Sequence, residues 1–322
     1  MVEKATDLVY STLALVSLED FKTDEAQKRF LEFQNTGIIN SSSRYEDSMW
    51  KLTDEYSNIG LYFKFNRFQY SNFTNIFQID YHTFLSYTKA FAVSLLGRIA
   101  LRSIECVLLD LRHILASNYE NICNLTEPKK LKMPSLCSEF FSLLPNSNEN
   151  PMISDLMDAM ESYAGLNMTL SKTKQRDLEC FETYFKFNDI INEFWDSDIS
   201  KDDRLFYYPL YLWWSVTAVI PLRPREFLLT QRDCLIKTDS GYTLTLMRNR
   251  LKGNNRSISY KIAEDYYQTT YPIPEALGKE FEQYLKLTQS YSDTDIKTLF
   301  VTDPHYKKWQ QRKHLNSRYL TY

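Results

Sequence analysis

Glycine is scarce, with only seven in 322 residues. No Gly-rich phosphate loop, dinucleotide fingerprint, nucleophile elbow or His-Glu-x-x-His zinc motif occurs, so the common nucleotide, hydrolase and zinc-protease chemistries have no foothold. Cysteine is equally uninformative as a framework: Cys106, Cys123, Cys137, Cys180 and Cys234 are odd in number and widely scattered. No pair has the Cys-x-x-Cys spacing of a metal site, and the set reads as buried thiols of a reducing compartment. No apolar run is long and clean enough to span a bilayer. The stretch 205–222 is aromatic and apolar, but Pro209 and Pro221 bracket it and charges flank it, so it reads as a buried core helix. The first residues, MVEKATDLVYSTLALVSLEDF, carry acids on both sides of a short apolar run, which does not suit a signal peptide. These absences point to a soluble, cytoplasmic protein without a membrane partner.

Tyrosine and phenylalanine, by contrast, are abundant, at 23 and 20 residues. With 43% hydrophobic and 25% charged residues, the composition is that of a globular protein packed largely from helices and rings. The length suits two or three domains. Net charge is −3, but it is unevenly spread. Residues 201–322 hold 19 Lys and Arg against 13 Asp and Glu, while residues 1–200 hold 19 against 28. A duplex-binding surface needs a local positive face rather than a basic chain, so this asymmetry permits nucleic-acid binding by the C-terminal part.

Residues 1–45 end in the turn-rich NTGIINSSSRYED, and the aromatic stretch 50–77 alternates around Leu61, Phe63 and Phe65, which predicts a strand or two. Its rings suit core packing better than base stacking. From Tyr81 the spacing turns helical, with helices expected over 81–97 and 98–117. Ile99, Ile104, Val107, Leu108, Leu111, Ile114 and Leu115 share one face of the second. Helical patterns resume over 154–163 and 174–195 after the loop 142–153. His82 and His113 have no partner at ligand spacing and read as structural. The charged DSDISKDD (196–203) serves as a hinge, with Ser200 the candidate N-cap of a helix over 203–219. The expected fold is mainly α with a small β-hairpin or sheet. It would comprise an N-terminal region (1–65, arm-binding or extended), a helical DNA-binding domain (66–200) and part of a catalytic domain (201–322).

The most informative stretch follows. Leu222-Arg223-Pro224-Arg225-Glu226-Phe227-Leu228-Leu229 leads through Arg232-Asp233 into Cys234-Leu235-Ile236. GYTLTLMRNRLKGNNRSISY then predicts two strands around the turn Lys252-Gly253-Asn254-Asn255. YPIPEALGKEFEQYLKL reads as a strand end and a helix with Pro274 near its first turn, and Leu299-Phe300 lie in a short buried segment. In this order the motifs resemble the catalytic domain of tyrosine recombinases, the phage-integrase family, over about residues 203–322. Upstream of that domain the resemblance implies a helical DNA-clamping domain. It makes Arg223 the first of two arginines that clamp the scissile phosphate, with Glu226 in support. Lys252 becomes the donor of a proton to the leaving 5′-oxygen, preferred over Lys261 because it lies nearest the turn. Attack by a tyrosine on a phosphodiester passes through a phosphorane with extra negative charge, which guanidinium forks neutralise bidentately. The resemblance thus implies double-stranded DNA as partner, a homo-tetramer on that DNA in the complete enzyme, and no cofactor or metal. Arg248, Arg250, Arg256, Lys307 and Lys308 are the further candidates for DNA contact.

The sequence departs from the family at its C-terminal end. After Leu299-Phe300 only 22 residues remain, and His314 and Arg318 have one residue too many between them for the family's His-x-x-Arg. Tyr319 and Tyr322 follow too closely to serve as the nucleophile, which stays unassigned, and this chain alone is expected not to cleave DNA. Two alternatives stand beside the recombinase reading: a non-catalytic DNA-binding or regulatory protein on a degenerate recombinase fold, and a helical protein-interaction scaffold.

Overall fold

A computed structural model describes residues 23–53, 58–125, 131–173, 180–250, 257–289 and 298–300. The chain is mainly helical with small antiparallel sheets, and it divides into two compact units. Unit 1 comprises Met1–Arg176 together with Asn255–Lys261. Unit 2 comprises Asp177–Asn254 and Ile262–Tyr322.

Unit 1 opens with helix α1 (Thr23–Asn35) and the hairpin β1 (Met49–Thr53) and β2 (Asn58–Tyr62), in register Trp50↔Leu61 and Leu52↔Ile59. The alternation turns Trp50, Leu52 and Leu61 inward, as a half-buried strand pair requires. Two short helices, α2 (Arg67–Ser71) and α3 (Thr74–Phe77), precede α4 (Tyr81–Leu95), whose N-cap Asp80 accepts the amides of His82 and Thr83. The break predicted near residue 97 is present: Gly97 takes a left-handed φ of +80°, and α5 (Leu101–Ala116) follows. Ile104, Val107, Leu108, Leu111, Ile114 and Leu115 of α5 are all buried. The unit is completed by α6 (Tyr119–Cys123), α7 (Pro134–Ser142) and α8 (Pro151–Thr173), the last starting ahead of the expected residue 154 because Pro151 supplies its first turn.

Rings build this core. Phe84 meets Phe65 at 5.2 Å, Tyr70 at 4.8 Å, Phe77 at 6.0 Å and Phe140 at 5.9 Å between centroids, and Trp50 meets Phe63 at 4.4 Å. The aromatics of 50–77 therefore lie largely inside, although Phe68 and Tyr62 are exposed. One acid lies among them: Asp110, almost wholly buried, accepts the Met133 amide at 2.6 Å, and burial pushes its carboxyl above the ordinary value.

Unit 2 begins with α9 (Phe181–Asp196) and α10 (Lys201–Thr217). Ser200 caps α10 as predicted, its Oγ accepting the Asp203 amide at 3.1 Å. The units part ahead of the hinge expected at 196–203, because Trp195 stacks on Tyr211 at 4.0 Å and packs edge-on to Tyr208, which ties α9 to α10. Helix α11 (Pro224–Leu228) leads to strands β3 (Leu235–Thr238) and β4 (Gly241–Asn249), the short helix α12 (Ile262–Asp265), strand β5 (Tyr266–Ile273) and α13 (Glu275–Leu287).

The sheet has the order β3-β4-β5, all antiparallel. This corrects the predicted hairpin: β4 pairs not with residues just past Asn255 but with β5, in register Asn249↔Tyr266 and Tyr242↔Ile273. The alternation of Ser257, Ile258, Ser259 and Tyr260 reflects burial of Ile258 and Tyr260 against the core of unit 1 instead. Residues 257–260 are thus not a strand, and the tight turn falls between β3 and β4. Helix α13 lies so close to the sheet that a Cβ at Gly278 would stand 2.2 Å from the Tyr242 ring.

The thiols also differ from expectation: Cys106, Cys137 and Cys234 are buried, but Cys123 is partly accessible and Cys180 is exposed. Both His82 and His113 are exposed. Among the described residues no helix is long and apolar enough to cross a membrane.

Candidate functional site

The motif residues of unit 2 converge on one carboxylate. Pro224 occupies the first turn of α11, and the residue before a proline is driven out of the helical region, so Arg223 sits extended at the N-cap with φ −84° and ψ 147°. Three residues on, Glu226 is turned back over the helix start. Its Oε2 accepts the Arg223 amide at 3.1 Å, which satisfies one of the donors a helix N-terminus leaves open. The Arg223 side chain has no acceptor to return the favour, so only this half of a capping box forms. The other oxygen, Oε1, accepts the Asn249 amide at 3.0 Å, and so α11 is tied to the end of β4.

Two guanidiniums complete the cluster. Arg223 Nη1 lies 3.7 Å from Glu226 Oε1, and Arg248 Nη1 lies 3.5 Å from Oε2. Arg248 also donates to the Pro221 carbonyl at 2.7 Å and lies over the Tyr271 ring at 6.0 Å. Glu226 is 5% exposed, whereas the Arg223 side chain is 43% exposed. The carboxylate is therefore buried with two cations and two amides around it, as a buried charge requires. Two positive charges against one negative leave a net positive site, with the Arg223 fork turned outward. Such a fork can take an anion's oxygens in pairs.

Of the predicted residues, Arg223, Glu226 and Arg248 come together. Arg250 does not join them: its Nε donates to the Tyr266 carbonyl at 3.1 Å, and its guanidinium lies over the Tyr267 ring at 5.4 Å. Lys252, Arg256, Lys307 and Lys308 lie outside the described residues, as do His314, Arg318, Tyr319 and Tyr322.

Sequence reasoning also passed over two supports. In the sequence Arg232 reads only as part of the polar pair Arg232-Asp233. Its guanidinium donates to the carbonyls of Leu299 (3.1 Å) and Thr288 (2.9 Å) and to Thr288 Oγ1 (2.8 Å), joining the end of α13 to the segment of Leu299 and Phe300. Burial pulls its pKa below the usual arginine value. Glu280 likewise accepts Tyr208 Oη at 2.7 Å and Trp195 Nε1 at 3.4 Å, linking α13 to the helices that back Arg223. A charge pattern could flag Arg232, but its partners are main-chain carbonyls, which no residue pattern reveals. Among the described residues, no group of His, Cys, Asp and Glu is placed to hold a metal ion. No family model, no curated protein and no solved structure matches the chain.

Proposed function

We propose that this chain carries the duplex-binding part and the first clamp arginine of a tyrosine-type site-specific DNA recombinase. The observation that supports this reading is the buried Glu226, which fixes the main chain of Arg223 while leaving its guanidinium accessible. Preorganised donors of this kind stabilise developing charge without reorganising during the reaction. Arg223 would grip the non-bridging oxygens of a phosphate, and Arg248, itself held by Glu226 and Pro221, would keep the local field positive. Lys252 would protonate the leaving 5′-oxygen from the connection after β4. The nucleophilic tyrosine has no assigned residue. In the complete enzyme, attack would give a 3′-phosphotyrosyl bond, and strands would exchange within a tetramer.

The test is binding of the full chain to a short mixed-sequence DNA duplex across a salt series, followed by fluorescence anisotropy. Affinity should fall steeply with salt, and Arg223→Ala should lower the slope of log K against log salt by about 1, the signature of one lost phosphate contact. Absence of binding at low salt would overturn the reading and favour a protein-interaction scaffold.

A further inference from the structure

Unit 2 carries an apolar face that its own core does not use. Helix α9 buries one residue, Trp195, of its sixteen, although it holds four phenylalanines and two isoleucines. A helix of that length is marginal alone and draws its stability from the packing of an apolar face. Only part of that packing comes from α10, which runs antiparallel to it. Phe194 meets Tyr207 at 5.3 Å and Phe187 meets Trp214 at 4.8 Å between ring centroids, and Trp214 Nε1 donates to Asn188 Oδ1 at 3.0 Å.

Phe187, Ile190 and Phe194 follow the spacing of one helix face, and Tyr207, Leu210 and Trp214 repeat that spacing on α10 in the opposite direction. The two ring pairs join the ends of these ranks, so Ile190 and Leu210 lie at the middle of one continuous face. The residues by which α10 enters the core, Tyr208, Leu212 and Val216, are on its other side. Ile190 is 59% exposed and Leu210 56%, and the exposed rings of Phe187, Phe194 and Tyr207 surround them.

Area and shape select the occupant. At about half exposure, five large side chains present roughly 500 Å² of apolar surface, near the upper end of what a monomer leaves in one patch. A standard interface buries about 800 Å² on each partner, and homodimer interfaces are about 65% apolar, which asks for an apolar share of the same size. The ring pairs also span the seam between the helices. That leaves a broad two-helix face rather than the groove in which a single helical peptide docks. A second copy brings a face of the same breadth, and a two-fold axis sets the same patch against itself.

We propose that the α9–α10 face is where two copies of this chain meet, in a two-fold dimer that forms without DNA and centres on Ile190 and Leu210. It uses none of the residues around Arg223 and stands apart from the duplex-binding reading.

The test is sedimentation equilibrium of the full chain without DNA. At roughly 50 μM the mass should be twice that of the chain, because interfaces of this size hold at micromolar concentrations or below. Apolar burial drives the contact, so the dimer should survive a rise in salt that strips cationic side chains from a duplex. Ile190→Lys and Leu210→Lys, made singly, should each raise the dimer dissociation constant at least about thirtyfold, the effect of losing a central anchor. Both side chains are exposed, so helix content by circular dichroism should be unchanged. If either lysine disturbs the fold, Ile190→Ser with Leu210→Ser reads the same face and should weaken the dimer about tenfold or more. Phe68→Lys, at an exposed ring of unit 1, should leave the dimer intact. A monomer at that concentration, or a mass that climbs past the dimer with concentration, would overturn the proposal. So would a dimer that folded variants at Ile190 and Leu210 leave intact, or one that Phe68→Lys breaks equally.

Discussion

Unit 1 and unit 2 are held together by different chemistry. In unit 1 the rings of Tyr70, Phe77, Phe84, Phe140 and Phe141 touch in a buried chain and Trp50 meets Phe63, with polar ties such as Asp110 to the Met133 amide and Asn150 to the Ile76 carbonyl set among them. In unit 2 the apolar core around Tyr208, Phe227, Phe281 and Phe300 is tied at its margins by charged side chains: Glu226 to the ends of α11 and β4, Arg232 to the end of α13, Glu280 to Tyr208 and Trp195. Burial is nondirectional and fills space, whereas a hydrogen-bonded charge fixes one geometry. In unit 2 the charged ties fix the main chain around Arg223, where Glu226 accepts both its amide and that of Asn249.

The largest effect should come from the ring network. Phe84→Ala removes a fully buried ring that four others touch, and it should destabilise unit 1 by about 3–5 kcal/mol. Urea unfolding followed by the fluorescence of Trp50, the tryptophan of unit 1, against that of Trp195, Trp213 and Trp214 separates the units when single-tryptophan variants are used. If both sets of probes shift together, the two units unfold as one and the contrast between them has no thermodynamic meaning.

The next effect tests the directional ties. Glu226→Ala strips the acceptor from two amides and leaves two guanidiniums beside a vacated site, which should cost about 3 kcal/mol. Glu226→Gln keeps one oxygen and the side-chain volume, and should lose about half as much. Equal losses for the two variants would mean that the charge matters and the acceptor geometry does not. A loss below that of an ordinary surface substitution in both would remove Glu226 as the organiser of unit 2.

The same contrast explains what could be read before the structure. Periodicity reports burial, and so the helices over 81–95 and 101–116, the strands near Leu61, the helix after Ser200 and the one after Pro274 were legible from apolar spacing and caps. Periodicity does not report partners. The alternation through Ile258 and Tyr260 predicts a strand opposite β4, because a tyrosine buried against a distant bend has the same pattern as one in a sheet. Arg223 and Glu226 were legible as a pair from the order of motifs that resembles a tyrosine recombinase, with Pro224 between them at the helix start. That Glu226 would also bind the Asn249 amide, and that Arg248 would share it, depends on the β4 register. Nothing local encodes that register at Glu226. The chemical part of the site was therefore visible as residue types, and its wiring was not.

The smallest effect distinguishes the units by pH. Asp110 is the buried acid of unit 1 among the described residues, and burial raises its carboxyl above the ordinary aspartate value, against the lowering influence of its amide bonds to Met133 and Lys132 and of the charges of His113 and Lys132. A raised folded value means that the native state binds the proton more tightly than the unfolded chain does. The contribution of Asp110 is then fully present below the unfolded value of about 3.9 and is lost as pH rises through the folded value, at up to about 1.4 kcal/mol per pH unit. Asp110→Asn should flatten that fall in the stability of unit 1. The slope is the quantity to read, because asparagine has a single acceptor for the two amides and should lower stability by about 1 kcal/mol at every pH. An unchanged slope would place the pH dependence of unit 1 elsewhere. A flattened slope seen also by the tryptophans of unit 2 would show that the acid buried among the rings is felt in both units, and the division between ring packing and directional ties would then be a description of chemistry rather than of stability.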